Sequence, residues 1–294
     1  METSDCVAVV PLASWRGGVG AEDQNRALDA LEAGKVVVLP QLAFPLEPAE
    51  SKLLVAATGG ERRKNISFDP ETGKVGNASD PDDEALLKGM MERFSRGAHS
   101  LVQDLLPAYA SCLSLGRTSF RPAEIAGRVA SPRHDDTRLH VDAFPSRPVH
   151  GRRILRVFAN VANDGAARRW RVGEPFADFA QKFAPRVRRP LPGAVAALQL
   201  LGITKSRRSD YDHYMLALHD LGKLDDAYQA SAPRIDVEFA PGTTWMCFTD
   251  QVLHAALSGH AALEQTFYLP VDAMRAPSSA PLRVLEGLAG RTLA

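Results

Sequence analysis

The pattern of apolar and polar positions in this 294-residue chain changes near residue 117. Before that point, "AEDQNRALDALEAG" (21–34) places apolar residues at helical spacing and ends on glycine, which predicts a helix. The β-branched run "KVVVLP" (35–40) predicts a strand. A longer apolar stripe predicts a second helix from Glu84 to about Leu115, kinked or ended by Pro107.

From residue 118 onward, short strand-like runs are separated by Gly, Pro, Asp and Asn, a pattern typical of an all-β sandwich or barrel. The predicted strands are "RLHVDAF", "RILRVFANV", "RWRVGEPF", "HYMLALH", "IDVEFA", "TWMCFT", "VLHAAL" and "LEQTFYL". The segment "PFADFAQKFAPRV" (175–187) is predicted to be a helix, because its phenylalanines fall on one face. We therefore expect a mainly β protein with α-helices, in which a β-barrel core (118–294) carries a helical and mixed extension (1–117) in one integrated domain.

Composition and charge narrow the classes of function. The 35 basic residues equal the 35 acidic ones, so there is no overall positive field for nucleic-acid binding. Cys6, Cys112 and Cys247 are too widely separated for a zinc ribbon or a disulfide framework. No secretory signal is recognisable, and the apolar run 193–203 is too short to span a bilayer. The prediction is a cytoplasmic protein without a transmembrane segment; peripheral membrane contact through a surface patch stays open, and no oligomeric state is specified.

The run "RLHVDAF" suggests half of a metal site. In a strand, His140 and Asp142 would project to the same side. Two imidazoles and one carboxylate form the facial triad of non-heme iron oxygenases, so a second histidine is required. His254, predicted to start a later strand, is the favoured third ligand over His260, which lies in a predicted hairpin turn. The alternative reading is a polar patch at the end of a strand.

The run "RILRVFANV" (153–161) suggests an anion site beside that metal. Its odd-numbered positions from 155 are apolar, whereas Arg156, Phe158 and Asn160 share the other face. A buried guanidinium is costly unless an anion pairs with it. We expect Arg156, with Asn160 beside it, to bind the carboxylate of a co-substrate such as 2-oxoglutarate; a salt bridge to a protein carboxylate is the alternative. Arg121 is a second candidate, for co-substrate or for substrate.

Several long motifs in sequence order resemble one known family. They are "TSFRP", "DDTRLHVDAFPSRP", "GRRILRVFANV", "RWRVGEPF", "YDHYMLALHD", "FTDQVLHAALSG" and "LEQTFYLPV". Together they resemble the Kdo 3-hydroxylases, which are similar in fold to the Fe(II)/2-oxoglutarate dioxygenases. The resemblance implies a double-stranded β-helix (a jelly-roll or cupin-like fold) with His140, Asp142 and His254 as the iron ligands.

The resemblance also implies a reaction and a substrate. Fe(II), 2-oxoglutarate and O2 would be used, with ascorbate as a supporting reductant. The 3-deoxy-octulosonic acid sugar (Kdo) of a Kdo–lipid A glycolipid would be hydroxylated at C3 to give the Ko sugar, at the cytoplasmic face of the inner membrane. Arg121, Arg138 and Arg153 are expected to meet the sugar carboxylate and the lipid phosphates.

One feature departs from the wider superfamily. Most relatives carry a basic residue ten to fourteen positions after the distal histidine, whereas this chain has Glu264, Gln265 and Thr266 there. The co-substrate role is therefore predicted to move to Arg156. Two rival functions remain: another cupin-type metal enzyme that does not use 2-oxoglutarate, and a non-enzymatic barrel that binds an acidic glycolipid.

Overall fold

The computed structural model describes residues 2–54, 65–78, 81–188 and 193–294. The strands in these ranges are β1 (Val7–Val9), β2 (Val36–Leu39), β3 (Ile66–Asp69), β4 (Lys74–Gly76), β5 (Ser114–Arg121), β6 (Arg153–Asn160), β7 (Arg168–Gly173), β8 (Arg234–Phe239), β9 (Thr244–Phe248), β10 (His254–Ser258) and β11 (Ala262–Leu269). The α-helices are α1 (Thr3–Cys6), α2 (Ala21–Glu32), α3 (Pro81–Leu105), α4 (Phe176–Phe183), α5 (Ala194–Leu200), α6 (Asp210–Leu224), α7 (Asp226–Ser231) and α8 (Pro281–Ala289). None of the helices in these ranges combines the length and the hydrophobicity that crossing a membrane requires.

The strands form two facing sheets. The larger has the order β1-β2-β9-β6-β11-β5-β3-β4, and the smaller has the order β10-β7-β8. All pairings are antiparallel except that of β1 with β2. Strands β6 and β11 are central to the larger sheet, so their side chains are covered on both faces. This is a sandwich, as the pattern of short strands predicted, and it has the jelly-roll form that the family resemblance implied.

Strand β6 shows how the alternation of side chains builds two separate cores. Leu155, Val157 and Ala159 belong to the core that also contains α2 and α3. Phe158 instead packs with Trp170 and other residues in the core between the two sheets. Period-two alternation thus places Arg156, on the same face as Phe158, inside the sandwich, as the sequence predicted.

Most of the predicted elements are present, but the strand predicted at "HYMLALH" is wrong. Those residues lie in helix α6. The side chains of Ser209 and Asp212 form a capping box at its start. Tyr211, Met215 and Leu218 are buried at helical spacing. The capping signal and this spacing outweigh the local strand-like composition.

The predicted strand "RLHVDAF" is also absent as a regular element. His140 forms only an isolated antiparallel bridge with His254. Asp142 is held by a separate backbone hydrogen bond, from its N–H to the carbonyl of Thr249, at 2.8 Å. The segment is extended and its backbone forms hydrogen bonds at His140 and Asp142, but it does not form a continuous strand of either sheet.

The N-terminal third contributes strands to the larger sheet as well as helices that cover it. Strand β2 pairs with β9, and β3 pairs with β5. Helix α3 ends at Leu105, just before Pro107, which was predicted to kink or end it; the predicted extension to about Leu115 is wrong, because Leu115 lies in β5. These pairings support the proposal that segments 1–117 and 118–294 form one integrated domain.

Candidate metal centre

Three side chains from two distant segments of the chain converge between the sheets. The backbones of His140 and His254 exchange two hydrogen bonds, with N···O distances of 3.0 and 2.9 Å. One ligand atom from each of His140, Asp142 and His254 lies within 4.8 Å of the others. The backbone bridge therefore places His254 beside His140 and Asp142, from which it is more than a hundred residues distant in the chain.

Hydrogen bonds orient both imidazoles for metal binding. Nδ1 of His140 lies 2.7 Å from the carbonyl of Arg138, and Nδ1 of His254 lies 2.8 Å from the carbonyl of Val252. A carbonyl only accepts, so each Nδ1 must donate, which leaves the Nε2 lone pair for a metal. Burial lowers the pKa of both rings and favours the neutral form that a metal needs.

The carboxylate of Asp142 is kept ionised. Burial alone would raise the pKa of Asp142, but the nearby Arg156 guanidinium holds it below its usual range. Oδ2 of Asp142 lies 3.0 Å from Nη1 of Arg156 without hydrogen-bond geometry, and it has no hydrogen-bond partner. Two neutral imidazoles and one carboxylate with an unsatisfied oxygen fit a non-heme iron.

His260, the alternative ligand, lies elsewhere. Its ring is buried, with Nδ1 3.8 Å from Glu124 and Nε2 3.5 Å from Asp164, and it is not part of the cluster of three ligands. The structure therefore favours His254.

A cavity of about 130 Å³ adjoins the three ligands. Its walls come from both sheets and from the segment that carries His140. The remaining lining residues are Arg121, Asp136, Arg156, Phe158, Arg168, Trp170, Ala256 and Glu264. Three guanidinium groups on one small cavity favour an anionic ligand with more than one acidic group.

Both predicted roles of Arg156 are compatible with its position. Its Nη1 lies 3.0 Å from Asp142 and 3.3 Å from Glu264, so it pairs with protein carboxylates. It also faces the cavity, and its Nε has no hydrogen-bond partner. Glu264 in turn accepts from Arg121 at 3.1 Å. The glutamate that replaces the usual basic residue thus holds two arginines at the cavity wall.

Arg168 is a cavity residue that the sequence analysis did not identify. It is 4% exposed; Nη1 donates to the carbonyl of Gly259 at 3.2 Å, and Nε has no partner. Burial, reinforced by Arg121, lowers the pKa of Arg168 to about 9, so it remains charged at neutral pH. The alternation in "RRWRV" carried the signal: Arg168 and Trp170 point inward, whereas Arg169 and Arg171 pair outside with Glu238 and Asp236.

Two aromatic rings pack against the imidazoles. Trp170 stacks on His254 with ring centroids 5.1 Å apart, and its indole N–H has no partner. His219, which the sequence placed on a strand, projects from α6 and meets His140 edge-on at 5.4 Å. Trp170 therefore restrains the ring of His254 from the cavity side, and His219 packs against the ring of His140.

Asn160 and Arg138 do not line the cavity. The Asn160 amide donates to the carbonyls of Ala166 and Phe239, both at 3.0 Å, which occupies its donors at the end of the sandwich. Arg138 pairs with the exposed Asp226, while its carbonyl orients His140. These contacts indicate a structural role for Asn160 and an orienting role for Arg138, and the predicted contacts with co-substrate and substrate stay predictions.

Arg153 also differs from its predicted role. It is fully buried; its Nε donates to Asp250 at 2.7 Å, and its Nη2 donates to Gln251 at 2.7 Å. Its guanidinium lies 3.9 Å from the ring centroid of Phe248. A fully buried guanidinium with these partners forms a structural ion pair, and its position does not support the expected substrate contact.

We expect Arg153→Lys to lower the free energy of unfolding by about 1.5–3 kcal/mol, because the ammonium retains the charge but loses the fork that bonds two partners. Chemical denaturation monitored by tryptophan fluorescence measures the change. Arg152→Lys, at the partly buried neighbouring position, is the control. Unchanged stability of Arg153→Lys would contradict the structural role.

The comparisons with known proteins agree with this geometry. Residues 14–292 match the family model described as 3-deoxy-D-manno-oct-2-ulosonic acid (Kdo) hydroxylase. The structure of the Kdo hydroxylase KdoO, a non-heme Fe(II) α-ketoglutarate-dependent dioxygenase, in complex with α-ketoglutarate and Fe(III) is similar with a TM-score of 0.94, at 44% identity over 98% of this chain and 97% of that chain. Its cobalt(II) complex gives a TM-score of 0.92 and its apo form 0.93, each at 45% identity with the same coverage. No curated protein gives a match. The chain therefore belongs to the Kdo hydroxylase family.

Proposed function

We propose that the chain binds Fe(II) through His140, Asp142 and His254 and hydroxylates C3 of the Kdo sugar of Kdo–lipid A to give Ko. The convergence of these three side chains on a cavity lined by three arginines carries the proposal. Bound iron would supply the oxidative chemistry with O2 and 2-oxoglutarate. The protein supplies two oriented neutral imidazoles, one ionised carboxylate and a cationic wall.

The co-substrate is assigned to the arginine wall. Arg156, Arg121 and Arg168 come from three strands, β6, β5 and β7, and face one cavity. Carboxylates of 2-oxoglutarate would satisfy the unpartnered Nε atoms of Arg156 and Arg168. Phe158 and Trp170 form an apolar part of the wall and limit the access of water to the ligands.

The lipid-linked form of the substrate and its place of action are also part of the proposal. A Kdo–lipid A glycolipid carries a sugar carboxylate beside lipid phosphates, and we assign the reaction to the cytoplasmic face of the inner membrane. Ascorbate is expected to sustain turnover by keeping the iron reduced.

One incubation separates this function from its rivals. Purified protein is mixed with Fe(II), ascorbate and labelled 2-oxoglutarate, with and without detergent-dispersed Kdo–lipid A. We expect succinate in an amount that matches a product carrying one added oxygen atom. Product formation without succinate would favour a cupin-type enzyme that does not use 2-oxoglutarate. Glycolipid binding that a chelator does not weaken, without product, would favour the non-enzymatic barrel.

Arg168→Met tests the residue that the sequence analysis missed. We expect the KM for 2-oxoglutarate to rise about tenfold to a hundredfold, because one charge-assisted contact in a buried site is lost. Arg169→Met is the matched control, since its side chain lies outside and pairs with Glu238. Equal KM values for the two variants would contradict a role of Arg168 in binding the co-substrate.

A further inference from the structure

The chain carries a strong local charge imbalance between Asp178 and Asp210. No acidic residue occurs between these two positions, although the chain as a whole is neutral. The basic residues in this interval are Lys182, Arg186, Arg188, Arg189, Lys205, Arg207 and Arg208. They flank the apolar run "GAVAALQLLGI" (193–203) on both sides. Lys182 and Arg186 pair with Glu174 and Asp225, so the excess of positive charge comes from the basic residues nearer to the apolar run.

The apolar centre is exposed. Leu200 is 89% exposed, Leu201 is 72% exposed and Ile203 is 53% exposed. They lie at the end of α5 and in the turn that follows it. Large apolar side chains that cluster on a surface with a basic rim mark an interaction site, whereas scattered single ones do not.

The flanks of this run are fixed to the body of the protein. Nε2 of His213 on α6 lies 2.6 Å from the carbonyl of Arg188. On the other side, the N–H of Lys205 donates to the carbonyl of Ser146 at 2.9 Å, and the Arg208 guanidinium donates to the carbonyl of Pro145. Both ends of the run are therefore anchored to the protein, whereas the side chains of Leu200 and Leu201 extend into solvent.

The anchors lie close to the metal centre. Pro145 follows Phe144, whose ring centroid lies 5.4 Å from the guanidinium carbon of Arg156. Helix α6, which holds the other flank, also carries His219 against the ligand His140. A binding partner that contacts residues 193–208 would therefore lie close to the part of the protein that contains the metal centre.

We propose that residues 193–208, the lipid-docking segment, insert Leu200, Leu201 and Ile203 into an anionic phospholipid surface. Arg188, Lys205 and Arg207 make no salt bridge within the described ranges, so they remain for lipid phosphates. Apolar side chains inside a basic rim match the interfacial boundary of a bilayer, where the cations stay at the headgroups.

A lipid surface fits this segment better than a protein partner does. Three projecting apolar side chains offer much less area than the roughly 800 Å² per partner of a stable protein interface. No acidic residue lies between Asp178 and Asp210, and a rim with only basic residues suits a surface of anionic headgroups. The inference rests on the proposed function only in its consequence, that docking brings the cavity to a membrane-embedded glycolipid.

Vesicle sedimentation tests the segment. Wild-type protein is mixed with vesicles of phosphatidylglycerol and phosphatidylcholine, or of phosphatidylcholine alone, at low and high salt. We expect binding to the anionic vesicles that weakens as salt increases. Leu200→Ser/Leu201→Ser should reduce the partition coefficient about a hundredfold, and Lys205→Gln/Arg207→Gln about tenfold or more. The controls are Leu288→Ser and Arg96→Gln, which alter an exposed leucine and an exposed arginine outside the segment.

The docking role would be overturned if the wild type did not bind anionic vesicles, or if the segment variants bound as well as the controls. It would also be overturned if the wild type were a dimer that Leu200→Ser/Leu201→Ser dissociates, because the surface would then be an interface between copies. Succinate release with detergent-dispersed Kdo–lipid A is measured in parallel. The docking variants should retain it, because none of the changed residues lines the cavity. Failure of succinate release in the wild type would count against the proposed function and leave the vesicle result intact.

Discussion

Replacing His140 or His254 with alanine is expected to abolish metal-dependent succinate release, a loss greater than about 100-fold, since loss of an outer-shell partner alone costs about 10–100-fold. Each imidazole presents Nε2 to the cluster because its Nδ1 donates to a carbonyl. Nothing else in the described cluster replaces it. Co(II) titration followed by absorbance gives a readout independent of turnover, and both variants should lose the cobalt spectrum.

His260→Ala is the control for these ligand variants. His260 is also a buried histidine, so its removal leaves a comparable cavity, but it lies outside the ligand cluster. It should retain cobalt binding and succinate release. Cobalt binding retained by His140→Ala and lost by His260→Ala would reject the assignment of the three ligands.

Arg156→Met is expected to raise the KM for 2-oxoglutarate by about 30-fold or more, because truncating one partner of a buried charge pair costs 2–5 kcal/mol or more. The change also leaves Asp142 and Glu264 without their shared guanidinium. Arg156→Lys should fall between Arg156→Met and the wild type, because it restores the charge without the two-pronged geometry.

The measurement must separate a co-substrate role from a structural one. KM and kcat are obtained at saturating Fe(II), and thermal unfolding is followed in parallel. Arg117→Lys, at a more exposed site on β5, serves as the control. A lower unfolding temperature for Arg156→Met with an unchanged KM would show that Arg156 only neutralises protein carboxylates.

Much of this site could be predicted from short-range pattern. The spacing of His140 and Asp142 put two ligands in one segment, and alternation along 153–161 put Arg156 on the face opposite the apolar core. The same rule applied to "RRWRV" would have put Arg168 and Trp170 inside. Capping by Ser209 and Asp212 would have corrected the strand predicted in α6. These signals are local, because they depend only on the periods of strands and helices.

The partners of the arginines could not be predicted in this way. Arg153 and Arg156 are three residues apart on one buried strand, and composition gives both the same requirement for an anion. The fold places Asp250 beside Arg153, whereas it places Asp142, Glu264 and a cavity beside Arg156. Arg153 therefore forms a structural ion pair, whereas Arg156 faces the cavity in which a ligand can bind.

The sequence by itself thus determined the strand-rich class of fold, the metal-binding residue types, the inward face of β6 and the apolar run within basic flanks. Only the tertiary structure decided that His140 pairs with His254, which arginines reach the cavity, and that the leucines of 193–203 are exposed. The physical reason is that periodicity fixes the side of an element to which a residue points. What lies on that side depends on strand pairing and packing between residues far apart in the chain.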